Sequence, residues 1–298
     1  MTRVLPVLLL LAAASPAHAQ VSFEGHFEQG GLVYGHTTPG ARVTLDGQPV
    51  RLTPDGEFLL GFGRDAAPTA TVDVTAPDGR HETKVLPIAA RTWNIQRIEG
   101  LPEKQVTPPP EDLARIKADI AEVFAARARD TDVLLFRSGF KWPAIGPISG
   151  VYGSQRILNG EPRQPHYGID IAAPAGTPVL AAADGIVSMA DENMLLTGKT
   201  LILDHGYGLS STYMHMSAIT VKPGQKVKQG QMIGRIGATG RVTGPHVDWR
   251  VNLYQVRLDP ALLVPPMPAS PAGLSPASGG AAKATGPAAS GSRPPSGD

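Results

Sequence analysis

The stretch Gly244-Pro245-His246-Val247-Asp248-Trp249-Arg250-Val251-Asn252-Leu253 decides how this chain is read. Side chains alternate along a strand, so His246, Asp248, Arg250 and Asn252 share one face, and Val247, Trp249, Val251 and Leu253 share the other. The apolar face reads as core. The polar face carries an imidazole and a carboxylate two residues apart, about 7 Å along a strand that rises ~3.3 Å per residue. That separation serves one metal ion and its bound water.

Upstream, His166-Tyr167-Gly168-Ile169-Asp170 sets a His and an Asp four residues apart, with Asp170 between Ile169 and Ile171 at the start of a strand. Between the two motifs lies Tyr213-Met214-His215. Alternation there predicts Ser211, Tyr213 and His215 on one side, and Thr212, Met214 and Met216 on the other. A catalytic zinc site takes about three imidazole or carboxylate ligands from stiff elements and leaves a position for water. Three strands each supply donors of that kind.

The chain resembles the lysostaphin/LytM-type zinc peptidases of bacterial cell walls. The resemblance runs from Phe140 to about Leu258. It includes His166-x-x-x-Asp170, Ala173-Pro174-Ala175-Gly176-Thr177-Pro178-Val179, Ala183-Asp184-Gly185-Ile186-Val187, Asp204-His205-Gly206, Tyr213-Met214-His215, Gly224 to Gln231, and Thr239-Gly240 to His246. It implies one Zn2+ ion held by His166, Asp170 and the residue at 248, with His215 and His246 handling the water proton and the oxyanion. It implies peptidoglycan as substrate, cut at cross-links or stem peptides. The departure is Asp248, where the family usually carries His; an aspartate oxygen also ligates zinc, at roughly 2.0–2.2 Å. The alternative is a catalytically attenuated scaffold of the same fold that binds murein or regulates another hydrolase. A lipoyl-type carrier finds no Met-Lys-Met turn around Lys226-Val227-Lys228.

Met1-Thr2-Arg3, an apolar run from Val4 to Ala14 and Ala17-His18-Ala19 have the layout of a secretory signal peptide over residues 1–19. A periplasmic location is therefore expected. That run falls short of the about 20 residues a membrane span needs. The chain has no cysteine, which excludes disulfides and thiolate ligands. Its 27 Lys+Arg and 26 Asp+Glu become 26 and 26 without Arg3, so no basic surplus points to nucleic acid.

Between residues 20 and 98, turn signals at Gly30-Gly31, Pro39-Gly40, Asp46-Gly47, Pro54-Asp55-Gly56 and Pro77-Asp78-Gly79 separate β-branched runs. This predicts an immunoglobulin-like β-sandwich, a binding or spacing module that offers a protein partner a surface. His26, His36 and His81 read as isolated surface residues. Residues 99–138 form a linker with an amphipathic helix over about 111–129, its Leu113, Ile116, Ile120, Val123 and Phe124 expected to pack on the neighbouring domain. Residues 139–264 are the peptidase-type domain, expected as a partly open antiparallel barrel. His205 reads as structural, and Asp184 and Asp204 as turn residues. The Pro/Ala/Gly/Ser composition of residues 265–298 predicts disorder.

Overall fold

The computed structural model describes residues 21–100 and 109–269. The signal-peptide segment, most of the linker before the helix and the Pro/Ala/Gly/Ser tail from residue 270 lie outside the described residues. The described chain is mainly β: small amino-terminal sheets, one helix, then a large open antiparallel sheet.

The amino-terminal strands are β1 (Ser22–Gly25), β2 (Leu32–His36), β3 (Arg42–Leu45), β4 (Gln48–Val50), β5 (Glu57–Gly61), β6 (Thr69–Thr75) and β7 (His81–Pro87). Two sheets, ordered β1-β2-β5 and β4-β3-β6-β7, close over one apolar cluster that includes Val33, Val43, Phe58, Leu60, Val72, Val74 and Leu86. Strand β8 (Ile95–Ile98) lies beyond these sheets: it pairs in parallel with β10 (Gln155–Leu158), which also pairs with β11 (Glu161–Pro162). The first module shares core with the second, since Leu32 and Leu59 belong to the cluster that holds Trp249 and Leu253. Arg64 Nε donates to the Gly153 carbonyl at 2.9 Å, and Arg91 meets Asp259 at 2.8 Å across the same seam.

Helix α1 (Pro110–Arg127) begins with Pro at its first position, where no amide hydrogen is needed, and carries Glu111 and Asp112 in its first turn and Arg127 in its last. The sequence reading put its apolar stripe into a core. The structure reverses this for Leu113, Ile120 and Phe124, which are exposed at 51%, 62% and 56%. Only the end of the helix is buried: Ala126 sits against Met189, Met194 and Ile202, with Val123 packed alongside. Polar contacts hold the rest. Asp119 accepts from the Leu195 amide at 2.7 Å, Arg115 donates to the Asn193 carbonyl, and Gln255 donates to the Phe124 carbonyl at 3.4 Å.

The large sheet is built from β9 (Ile148–Gly150), β12 (Ile169–Ala172), β13 (Pro178–Leu180), β14 (Gly185–Met194), β15 (Gly198–Gly206), β16 (Leu209–Ile219), β17 (Lys226–Val227), β18 (Met232–Ile236), β19 (His246–Leu253) and β20 (Val256–Leu258). Its main order is β17-β14-β15-β16-β19-β12-β9, with β18 joined to β13 and β16, and β20 to β19. One face packs Leu201, Leu203, Tyr213, Val247, Trp249 and Val251 into the principal core. On the other, Ile202 joins the cluster under the end of α1. With both faces covered here, β15 can be the apolar run Leu201-Ile202-Leu203. The sequence reading ended the ordered chain at Val264, yet Met267 packs on the core and the Pro265 carbonyl accepts from Trp142 Nε1 at 2.8 Å.

Candidate metal centre

Strands β12 and β19 run antiparallel in a register that sets Asp170 directly opposite Asp248, and Ala172 opposite His246. His166 lies in the approach to β12. Its amide donates to the Ser154 carbonyl and its carbonyl accepts from the Gly153 amide, both at 2.8 Å. These bonds bring its ring over the two carboxylates. His166, Asp170 and Asp248 each offer one donor atom, and the three atoms lie within 4.8 Å of one another.

The tautomer of His166 follows from its surroundings. Nδ1 faces the Val151 carbonyl at 3.2 Å and, as the donor there, carries the hydrogen. In the neutral ring the Nε2 lone pair is then aimed at carboxylate oxygens, 3.1 Å from Asp170 Oδ1 and 3.3 Å from Asp248 Oδ2. Only a cation between these groups, a proton or a metal ion, makes that arrangement favourable. Among the described residues, Asp170 Oδ1 is moreover buried without an aligned hydrogen bond, its contact with His166 being an ion pair. A divalent ion fits this donor set. Burial opposes charge on His166, yet the close contacts and charges of Asp170 and Asp248 prevail and pull its pKa up to about 10.

Asp248 is almost fully buried, which by itself would favour its neutral form. Arg250 and His166 reverse that and hold the carboxyl ionised, far below the usual carboxylate range. Arg250 Nε lies 3.0 Å and 3.1 Å from the two Asp248 oxygens, and Nη2 is 2.6 Å from Oδ2. The oxygen nearest His166 is thus also the one Arg250 grips.

His246 and His215 stand beside this group with ring centroids 4.9 Å apart. His246 Nδ1 donates to the Gly244 carbonyl at 2.9 Å, and its Nε2 is 3.8 Å from Asp170 Oδ1. His215 Nδ1 donates to the Thr239 carbonyl at 2.9 Å. All three imidazoles therefore have Nδ1 tied to backbone and Nε2 left for chemistry.

The structure corrects the predicted facing of His215. Strict alternation would send it with Tyr213 into the core. Instead, β15 pairs Leu201 with Tyr213 but Lys199 with Met216, so β16 holds one extra residue, and His215 adopts φ 63°. This bulge turns His215 to the face of Thr212 and Met214, beside Asp248, and returns Met216 to the core. Burial lowers the His215 pKa, with the Thr239 hydrogen bond acting the other way, so the ring is neutral near pH 7.

Further residues complete the site. Gly150 and Gly168 form a cradle, because a Cβ on them would come to 2.1 Å from Asp170 Oδ2 and 2.3 Å from Asp248 Oδ1. Thr239 clamps the bulge, its hydroxyl donating to the Met216 carbonyl at 2.8 Å while its carbonyl holds His215. Helix α1 borders the site: Ile116, Ile120, Val123, Phe124 and Arg127 line the same cavity of about 510 Å³ as His166, Asp170, His215 and Asp248. His205 is in the core, with Nδ1 2.6 Å from the Asp184 carbonyl and Nε2 2.8 Å from Ser211 Oγ.

Comparison with known proteins agrees with this geometry. Peptidase family M23 matches residues 164–260. The chain is 47% identical over 87 residues to peptidoglycan DD-endopeptidase ShyA of Vibrio cholerae, covering 29% of this chain and 20% of that one. It is 32% identical over 166 residues to cell division protein DipM of Caulobacter vibrioides, covering 54% of this chain and 26% of that one. The chain thus spans about a quarter or less of these relatives' length. A solved structure of an M23-type peptidase from Pseudomonas aeruginosa superposes with a TM-score of 0.61 at 31% identity, covering 80% of this chain and 94% of that one.

Proposed function

The chain belongs to peptidase family M23, and from that premise we propose that it is a zinc-dependent endopeptidase acting on peptide cross-links or stem peptides of peptidoglycan. The observation that carries this reading is the pair of facing carboxylates, Asp170 and Asp248, met by the Nε2 of His166. Zinc bound there would acidify a water and polarise the scissile carbonyl. His166, Asp170 and Asp248 would hold the ion.

The remaining steps belong to His215 and His246. With Nδ1–H committed to the Thr239 and Gly244 carbonyls, each presents an unprotonated Nε2 in its neutral form. One accepts the proton of the attacking water at Nε2. The resulting imidazolium then gives that proton to the leaving amine, and a protonated Nε2 also serves as donor to the oxyanion. Helix α1 supplies one wall of the cavity.

In the same reading the protein works in the periplasm after export, and the amino-terminal module is an immunoglobulin-like sandwich that spaces or docks the peptidase domain. One observation favours a second reading, the attenuated murein-binding scaffold: Arg250 already occupies Asp248 Oδ2 at 2.6 Å. Digestion of purified sacculi, with mass spectrometry of released muropeptides, separates the two. The enzyme reading expects cleavage with zinc and none with chelator. Binding to sacculi without cleavage at any zinc level would leave the scaffold.

A further inference from the structure

The cavity over the site contains more cationic groups than the metal centre uses. Its lining includes Arg127, Arg241, Arg250 and Arg257 against Asp119, Asp170 and Asp248. Asp119 is engaged by the Leu195 amide, and Asp248 by Arg250. Asp170 faces His166.

Among the described residues, Arg127 and Arg257 are left without a carboxylate in hydrogen-bond contact. Arg127 enters from the last turn of α1, is 4% exposed, and its buried Nε has no acceptor among the described residues. Arg257, on β20, rests its guanidinium 5.4 Å from the Tyr167 ring centroid, and its buried Nη1 has no acceptor either. On β16, the buried Thr212 hydroxyl also has no partner among the described residues and lines the same cavity. Burial and then the charges of Arg257 and Arg250 oppose the Arg127 cation, while Asp248 acts in its favour.

A guanidinium withdrawn from water without an acceptor is costly, and a folded chain keeps one where an anion arrives to meet it. The planar fork of arginine matches a carboxylate in two parallel hydrogen bonds. We propose that Arg127 and Arg257, together with the Thr212 hydroxyl, form a subsite for a free carboxylate carried by the peptide substrate beside the scissile bond. The subsite deepens the peptidase reading and rests on it for the identity of the ligand as a peptide. It makes α1 a specificity element, because Arg127, in the last turn of the helix, lines the cavity beside the metal centre. It selects peptides whose carboxylate near the cut is free over those in which it is amidated.

Calorimetric titration of the metal-free full-length protein with two synthetic stem peptides, identical except for a free acid or a carboxamide at the last residue, tests the subsite. Omitting metal prevents the acid from gaining affinity by ligating the ion. The acid should bind about ten- to a hundredfold more tightly, the range for hydrogen bonds to charged groups. Arg127→Gln should erase the difference without lowering the melting temperature, and Arg127→Lys should restore part of it. Equal affinity of the wild type for acid and amide would overturn the proposal. So would a preference that survives Arg127→Gln combined with Arg257→Gln, or a gain in affinity for both peptides in Arg127→Gln, which would mark Arg127 as an obstruction. Acid preference in a zinc-loaded protein that cuts neither peptide nor sacculi would sink the peptidase reading and leave the subsite standing.

Discussion

Asp170 on β12 and Asp248 on β19 are direct cross-strand partners, with both carboxylates on the same face of the sheet. Like charges in that position destabilise a sheet unless a cation lies between them. His166 and Arg250 supply charge from two sides. Gly150 and Gly168 keep the space above the carboxylates open, where any larger residue would intrude. The pair is held between cationic groups, the setting a metal ion would share.

Asp170 is the cleaner of the two for mutation, since among the described residues it has no arginine partner within hydrogen-bond distance. Asp170→Asn should weaken zinc binding by about a hundredfold or more, at least the loss seen when groups supporting a metal ligand are removed. The metal-free variant should melt close to wild type, because a repulsion is relieved as a partner of His166 is weakened. Stoichiometric zinc by elemental mass spectrometry in the purified variant would exclude Asp170 from the ligand set.

The proton on His166 competes with the metal. Its pKa in the metal-free protein, about 10, lies above the ordinary histidine value. The stability contributed by this proton is therefore complete below about pH 6.5 and is lost as pH climbs through about 10. Zinc must displace it, so zinc affinity should rise with pH between 6 and 9, approaching about tenfold per unit for one proton released. Competition with a chelator at several pH values measures this, and a flat profile would contradict ligation by His166.

His215 separates what the sequence can show from what it cannot. Along β19 the pairing with β12 is regular, so period-two alternation sufficed to group His246, Asp248, Arg250 and Asn252. Along β16 the residues Tyr213-Met214-His215-Met216 suit a strand in any register, and nothing in their types announces the bulge. The structure places His215 at φ 63°, a region that costs a non-glycine residue about 1–2 kcal/mol. His215→Gly should therefore melt higher than His215→Ala, while both lose about 10²–10⁴ in turnover if His215 moves the proton. Burial lowers the His215 pKa, so its acid limb in the wild-type rate should fall below pH 6.5. An Ala variant as stable as the Gly variant would contradict the strained conformation.

Helix α1 illustrates a second limit of sequence reading. Spacing at three and four residues gives an amphipathic helix, but it does not say whether the apolar side meets a core or the rim of a cavity. Here Ile120 and Phe124 form such a rim. Replacing both with Asp should change stability by no more than two surface substitutions do, about 0.5 kcal/mol each. Ala126→Glu, set against Met189, Met194 and Ile202, should destabilise by several times that amount. Equal losses in the two variants would mean that the whole stripe is buried.

Asp248 and Arg250 form one ion-paired unit, so a change at one strands the other. Asp248→His would give the centre a second imidazole ligand but leave Arg250 largely buried and facing a neutral ring. Breaking a buried pair from one side costs about 3–5 kcal/mol, so the single variant should melt well below wild type whatever its metal content. Adding Arg250→Gln removes the stranded charge. The double variant should recover most of the lost stability, bind zinc, and cut sacculi at least as fast as wild type, because the guanidinium no longer competes for the ligand at 248. Melting curves, zinc content and muropeptide release for wild type, single and double variants decide the matter. A double variant no more stable than Asp248→His would show that the Asp248–Arg250 contact contributes nothing. A wild type that takes up no zinc beside a double variant that does would make the native Asp248–Arg250 pair a closed ion pair and favour the murein-binding scaffold.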